Sequence, residues 1–167
     1  HNSEETIERC IKSILAQTYK NFEFIITDDA SIDSSLNIIY KYAKKDLRIY
    51  ITKNEQNIGL TESLIKSINI CKGDIIARID SDEYAKPSRI EKQVKRILKN
   101  DISVLGSKCI NLYKNKKKIT LWPYYSVKEI NKLLKFKSPF AHGTSMFLKK
   151  DYIKIGGYNR QYKTSQD

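Results

Sequence analysis

Two apolar runs of strand length, residues 22–27 (FEFIIT) and 74–79 (DIIARI), each break off into acid. Asp28-Asp29 follows the first and Asp80-Ser81-Asp82-Glu83 the second. Helical spacing of apolar residues surrounds them. Ile7, Cys10, Ile11, Ile14 and Leu15 precede the first run, with Ser3 as the expected N-cap and Glu4 and Glu5 in the first turn. Leu36, Ile39, Tyr40 and Ala43 come after it, then a brief run at 49–51 and a turn at Asn57-Ile58-Gly59. Leu64, Ile65 and Ile68 form a third stripe, closed by Gly73. Short apolar runs alternating with amphipathic helices predict an α/β fold with a mostly parallel sheet and helices on both faces. Ligands of such sheets bind outside the carboxyl ends of the strands, which is where both acidic clusters fall.

After Pro87 the spacing of Ser88 and Glu91 predicts a capping box for a helix carrying Ile90, Val94, Ile97 and Leu98. The rhythm then changes. Residues 103–113 and 118–121 flank the polar stretch 114–117 and predict an antiparallel excursion. Ser126 and Glu129 predict a second capping box, for a helix with Val127, Ile130, Leu133 and Leu134 inward. A loop at 139–143, a strand at 144–148 and a short helical turn ended by Gly156-Gly157 complete the pattern. A single domain over 1–167 is the expectation, with no internal repeat.

Composition narrows the class. The chain has 40% hydrophobic and 30% charged residues, so it can build a core and is not a disordered chain. Its three cysteines, Cys10, Cys71 and Cys109, show no CxxC pair and no companion His at zinc spacing. A disulfide scaffold or structural zinc is therefore not expected, and the cysteines read as small buried residues in a reducing compartment. Lys and Arg number 31 against 19 Asp and Glu, a formal charge of +12. Such a balance attracts phosphates or anionic lipid without naming either.

Asp80-Ser81-Asp82 is a DxD arrangement on a rigid strand end. One carboxylate can hold a hydroxyl while the other binds a hard cation, Mg²⁺ or Mn²⁺, through oxygen. Such an ion bridges a diphosphate and neutralises its charge as it departs. The competing reading is a solvated turn. Asp28 and Asp29 could accept hydrogen bonds from a base N–H or a ribose hydroxyl. Equally, Asp33 or Ser31 could cap the next helix while one aspartate satisfies loop amides.

Several strings in order resemble the family-two inverting glycosyltransferases of the GT-A fold, in particular those of bacterial cell-surface polysaccharides. These are Asn2 through Ser13 with Gln17-Thr18, FEFIITDDASID, Asn57-Ile58-Gly59-Leu60, ARIDSDEYAKPSRIEKQV, and AHGTSMFLKKDYIKIGGY followed by SQD. The resemblance covers nearly the whole chain and implies a Rossmann-like nucleotide-sugar-binding fold. By position it implies Asn2, Asp28 and Asp29 at the uracil and ribose of a donor. Asp80 would lie near the ribose or diphosphate, Asp82 would ligate Mg²⁺ or Mn²⁺, and His142 would border donor sugar and acceptor. Asp167 matches the base that takes the acceptor proton. A UDP sugar as donor, a saccharide or lipid-linked acceptor and transfer with inversion follow from the same resemblance. So does a cytoplasmic place, free or held peripherally against anionic membrane at its inner face, with no nucleic-acid partner.

The chain also departs from the family pattern. Of the usual opening strand and Pro-x-[FY]-N turn only His1-Asn2 stands here, and the usual helix after the [EQ]-D motif has no counterpart. The expectation is an N- and C-terminally incomplete catalytic domain lacking its first strand. Ala30 stands where Gly is common, Ile32 where a small residue is, and Glu83 where a second Asp is. Two other readings remain. DSD after a strand is also the nucleophile loop of haloacid-dehalogenase-like phosphatases, although Tyr84 replaces their usual Thr or Val. The charge, with many tyrosines, also suits a basic module for nucleic acid or membrane.

Overall fold

The structure, a computed structural model, describes residues 1–113, 116–120 and 126–161. Helix α1 (Ile7–Leu15) buries Ile7, Cys10, Ile11 and Ile14 on one face, as the 3.6-residue period requires. The chain continues as β1 (Phe24–Asp28), crosses through α2 (Ser35–Ala43) and returns as β2 (Ile49–Lys53). The two strands pair in parallel, Phe24 opposite Ile49 and Asp28 opposite Lys53. Ile7, Ile11, Ile26, Ile39 and Ile49 form the core between this pair and its helices. Burying each such side chain is worth roughly 1.5–3 kcal/mol.

Helix α3 (Leu60–Ile70) packs on β1 and leads to β3 (Ile75–Ala77). Helix α4 (Arg89–Asn100) and the short β4 (Val104–Leu105) follow. A hairpin of β5 (Cys109–Tyr113) and β6 (Lys116–Thr120) pairs Cys109 with Thr120, as the antiparallel excursion predicts; Lys114-Asn115 at its expected tip and Leu121 lie outside the described residues. Helix α5 (Val127–Leu133), a 3₁₀ turn at His142–Thr144, β7 (Met146–Leu148) and α6 (Lys149–Lys154) complete the order.

Strand β7 lies between β3 and β4 and runs antiparallel to both. The parallel part of the sheet is thus β1–β2, while β3 and β4, parallel to each other, are bridged by a strand from late in the chain. Ile90, Val94 and Ile97 of α4 pack with Met146 of β7 as a second core. Between β1 and β3 lies a cavity of about 830 Å³ lined by consecutive residues 21–28 and 71–81. Consecutive lining means that both strands border it edge-on, because only alternate residues of a strand share a face.

Four local expectations need correction. Thr6, not Ser3, occupies the N-cap of α1, and the Ser3 carbonyl accepts the Thr6 and Ile7 amides one turn earlier. Ser88 makes no side-chain cap on α4. Its supposed partner Glu91 instead accepts from Thr18 Oγ1 at 2.7 Å and Lys95 Nζ at 2.7 Å, so the box does not close. Val127 and Leu134 are exposed rather than inward, because α5 buries none of its residues against the described chain. Leu98 is exposed too, on the outer side of α4. The Ser126–Glu129 capping box is present, with both reciprocal bonds.

Candidate functional site

At the carboxyl end of β1 and just past that of β3, Asp28 and Asp80 border the same cavity. Asp28, 3% exposed, accepts the Ser31 amide on Oδ2 at 3.2 Å. Asn2 ties the same loop from the other side: its N–H donates to Ser31 Oγ and its Oδ1 accepts the Ile32 amide, both at 3.0 Å. Ala30 between them has φ +57°, a conformation costly for any residue with a Cβ, which is the physical sense of a Gly at that place. Asp33 holds the start of α2, accepting from Ser35 N at 2.9 Å and from Glu4 N at 3.0 Å.

Asp29 turns away from this cavity into a buried network. Its Oδ1 accepts from Asn54 Nδ2 at 2.8 Å and Ile58 N at 2.9 Å, and its Oδ2 from Gly59 N at 2.9 Å. Burial pushes its carboxyl up, but the bonds from Ile58, Asn54, Gly59 and Ser63 outweigh it and hold the group below the usual carboxylate range. Gly59 has φ +84°, so the Asn57-Ile58-Gly59 turn can aim consecutive amides at one carboxylate. The reading in which one aspartate satisfies loop amides thus describes Asp29.

Past β3, Arg78 is 6% exposed and its Nη2 lies 2.6 Å from Asp80 Oδ1. Its Nε and Nη1 are buried without a partner among the described residues, at the wall of the cavity. Ser81 Oγ and Ser3 Oγ are 2.8 Å apart and join the acidic loop to the start of the chain. Arg9 Nη2 donates to the Asp82 carbonyl at 3.0 Å, leaving the Asp82 carboxylate at an exposed turn. Glu83 folds back, half-buried, and burial pushes its carboxyl up. Beneath the loop, burial and the charges of Glu83, Asp80 and Asp82 push the Cys10 thiol to about 12. All three cysteines are free; Cys10 is buried, Cys71 and Cys109 half-buried.

Asp28 and Asp80 line one cavity together with Ser3, Ser31 and Ser81. His142 reaches that wall indirectly: its Nε2 lies 2.9 Å from the hydroxyl of Tyr158, which lines the cavity. Asp167 lies outside the described residues. No group of three or more His, Cys, Asp or Glu able to hold a metal occurs among the described residues. The cavity brings Asp28 and Asp80 together, whereas Asp82 is not among its lining residues. Arg78 escaped the sequence reading because it sits inside a run read as plain apolar strand, although an arginine there is itself a signal of a buried partner.

The Glycosyl transferase family 2 model matches residues 1–156. The chain belongs to that family. The O-antigen biosynthesis glycosyltransferase WbnJ of Escherichia coli is 36% identical over 160 residues, 95% of this chain and 62% of WbnJ. S. aureus TarS 1-349, solved in complex with UDP, superposes with a TM-score of 0.81 at 19% identity over 99% of this chain and 50% of TarS 1-349. The mannosyltransferase PcManGT of Pyrobaculum calidifontis, solved with GDP-Man and Mn2+, gives 0.72 at 16% identity over 95% of this chain and 45% of that one. This family 2 chain thus has the GT-A fold and spans about half to three-fifths of the length of these three proteins. The phosphatase and basic-module readings find no support in these similarities. Among the described residues, no helix is long and apolar enough to cross a membrane.

Proposed function

We propose that this family 2 domain binds a nucleoside-diphosphate sugar, a UDP sugar, and transfers the sugar with inversion to a saccharide or lipid-linked acceptor in cell-surface polysaccharide synthesis. The observation that carries the reading is that Asp28, at the carboxyl end of β1, and Asp80, just past the carboxyl end of β3, line one cavity. UDP in TarS, a protein of the same fold, and the O-antigen role of WbnJ support it.

In this reading Asp28, with Asn2 holding its loop, meets the base and ribose. Asp29 acts there by keeping the 54–59 loop in place. Asp80, fixed by Arg78, faces the ribose or diphosphate. Asp82 is the ligand for Mg²⁺ or Mn²⁺, since a hard cation of this kind takes one or two carboxylates and completes its shell with water and phosphate oxygens. When bound, the ion neutralises charge on the leaving diphosphate. Asp167 takes the proton from the acceptor hydroxyl, on the face opposite the nucleotide, as inversion requires. His142 borders donor sugar and acceptor. The charge of +12 suits a peripheral position on anionic membrane where lipid-linked acceptors reside.

A thermal-shift panel of UDP, GDP and their sugars, each with and without Mn²⁺, tests the reading. A stabilisation by uridine nucleotides that grows with Mn²⁺ is expected. No shift with any nucleotide contradicts it.

A further inference from the structure

Helix α4 reaches both sides of the candidate site from one face of its first turns. Arg89 Nη2 donates to the Arg78 carbonyl at 2.6 Å, just before the acidic loop, and to the Gly143 carbonyl at 3.1 Å, next to His142. Arg89 Nε donates to Gln93 Oε1 at 3.0 Å. Gln93, 5% exposed, donates in turn from Nε2 to the Thr144 carbonyl at 3.0 Å. Glu83 closes the arrangement from the acidic loop: a Cβ placed on Gly143 would lie 2.5 Å from Glu83 Cδ, so the carboxyl group rests on the glycine backbone. Glu83 Oε2 also accepts the Asp80 amide at 3.4 Å.

One guanidinium thus satisfies carbonyls from two loops far apart in sequence, and a half-buried carboxylate fills the only space a side chain at 143 could take. Neither loop can shift without breaking a bond to Arg89 Nη2, and a lysine at 89 would lack the Nε–H that ties the guanidinium to Gln93. We infer that Arg89, Gln93 and the Glu83–Gly143 contact form a brace that fixes the acidic loop relative to the turn carrying His142. They are positioning residues: they set how the donor side and the acceptor side of the site face each other. The functional half of this inference rests on the transfer reading above; the mechanical half does not.

Amide hydrogen exchange on the full chain tests the mechanical half. Gly143→Ala should speed exchange about tenfold or more both at residues 141–145 and, through Glu83, at residues 78–85, with α1, β1 and β2 unchanged. Arg89→Lys should loosen the same two segments. In a Glu83→Ala background, adding Gly143→Ala should change residues 78–85 no further, because the side chain that the new Cβ meets is gone. A response confined to 141–145, or none, overturns the brace. For the functional half, Gly143→Ala should lower kcat for a UDP-sugar donor about 10- to 100-fold, the scale of an ångström-sized misplacement, with donor KM within about twofold. Equal loss in kcat and rise in KM, or no loss, overturns the positioning role. A parent chain that exchanges as predicted but binds no nucleotide overturns the transfer reading and leaves the brace standing.

Discussion

The amide of Gly59 donates to Oδ2 of Asp29 at 2.9 Å, and Oδ1 of the same carboxylate takes the Ile58 amide. The end of β1 therefore holds the start of α3. Asp29→Ala leaves two amides and the Asn54 amide group without their acceptor. The expected loss is about 2–4 kcal/mol, since a buried donor left unmade costs about 1–3 kcal/mol. Urea unfolding of parent and variant measures it.

Asp29 also predicts an acid limb. Its folded carboxyl lies below the ordinary value, so the folded state binds fewer protons than the unfolded one. The contribution is fully present above the unfolded pKa near ~4 and disappears as pH falls through the depressed folded value. Stability against pH should drop more steeply below about pH 4 in the parent than in Asp29→Asn, which has no such carboxylate.

Gln17 is fully buried and bonds three ways: Nε2 to the Ser13 and Lys86 carbonyls, and Oε1 from the Ile90 amide. It supplies the cap for α4 that Ser88 does not. Gln17→Leu, close in volume, should cost about 2–3 kcal/mol by orphaning the Ile90 amide and two carbonyls. Unfolding measurements check this.

Cys10 should resist alkylation. A thiol raised to about 12 and 2% exposed has almost no thiolate at pH 8. Mass spectrometry after brief iodoacetamide treatment should find Cys10 unmodified in folded protein and modified in urea.

Asp167→Asn should leave nucleotide binding within about twofold and reduce transfer by at least about a hundredfold, the scale of a lost general base. Steady-state kinetics beside a nucleotide titration separate the two effects.

Much of this was legible because it is periodic or local. The stripe of Ile7, Ile11 and Ile14 and the acid-tipped runs depend on neighbours a few residues away, and the Ser126–Glu129 box closes within one turn. The misses are long-range. Glu91 pairs with Thr18 and Gln17 caps α4, partners brought together only by folding. Strand β7 slots between β3 and β4 by tertiary pairing that no local pattern encodes. At the site, spacing brought Asp28 and Asp80 to one rim, but could not reveal that Asp29 faces a loop or that Arg78 holds Asp80.

The central claim is that the acid rim binds a nucleotide diphosphate through a cation held by Asp82. Calorimetric titration of UDP into the parent chain and into Asp82→Asn, each with Mn²⁺ and with EDTA, tests it most directly. The account predicts parent affinity that falls about tenfold or more in EDTA, and weak binding by Asp82→Asn that Mn²⁺ no longer improves. Equal binding by both proteins in both buffers would contradict it.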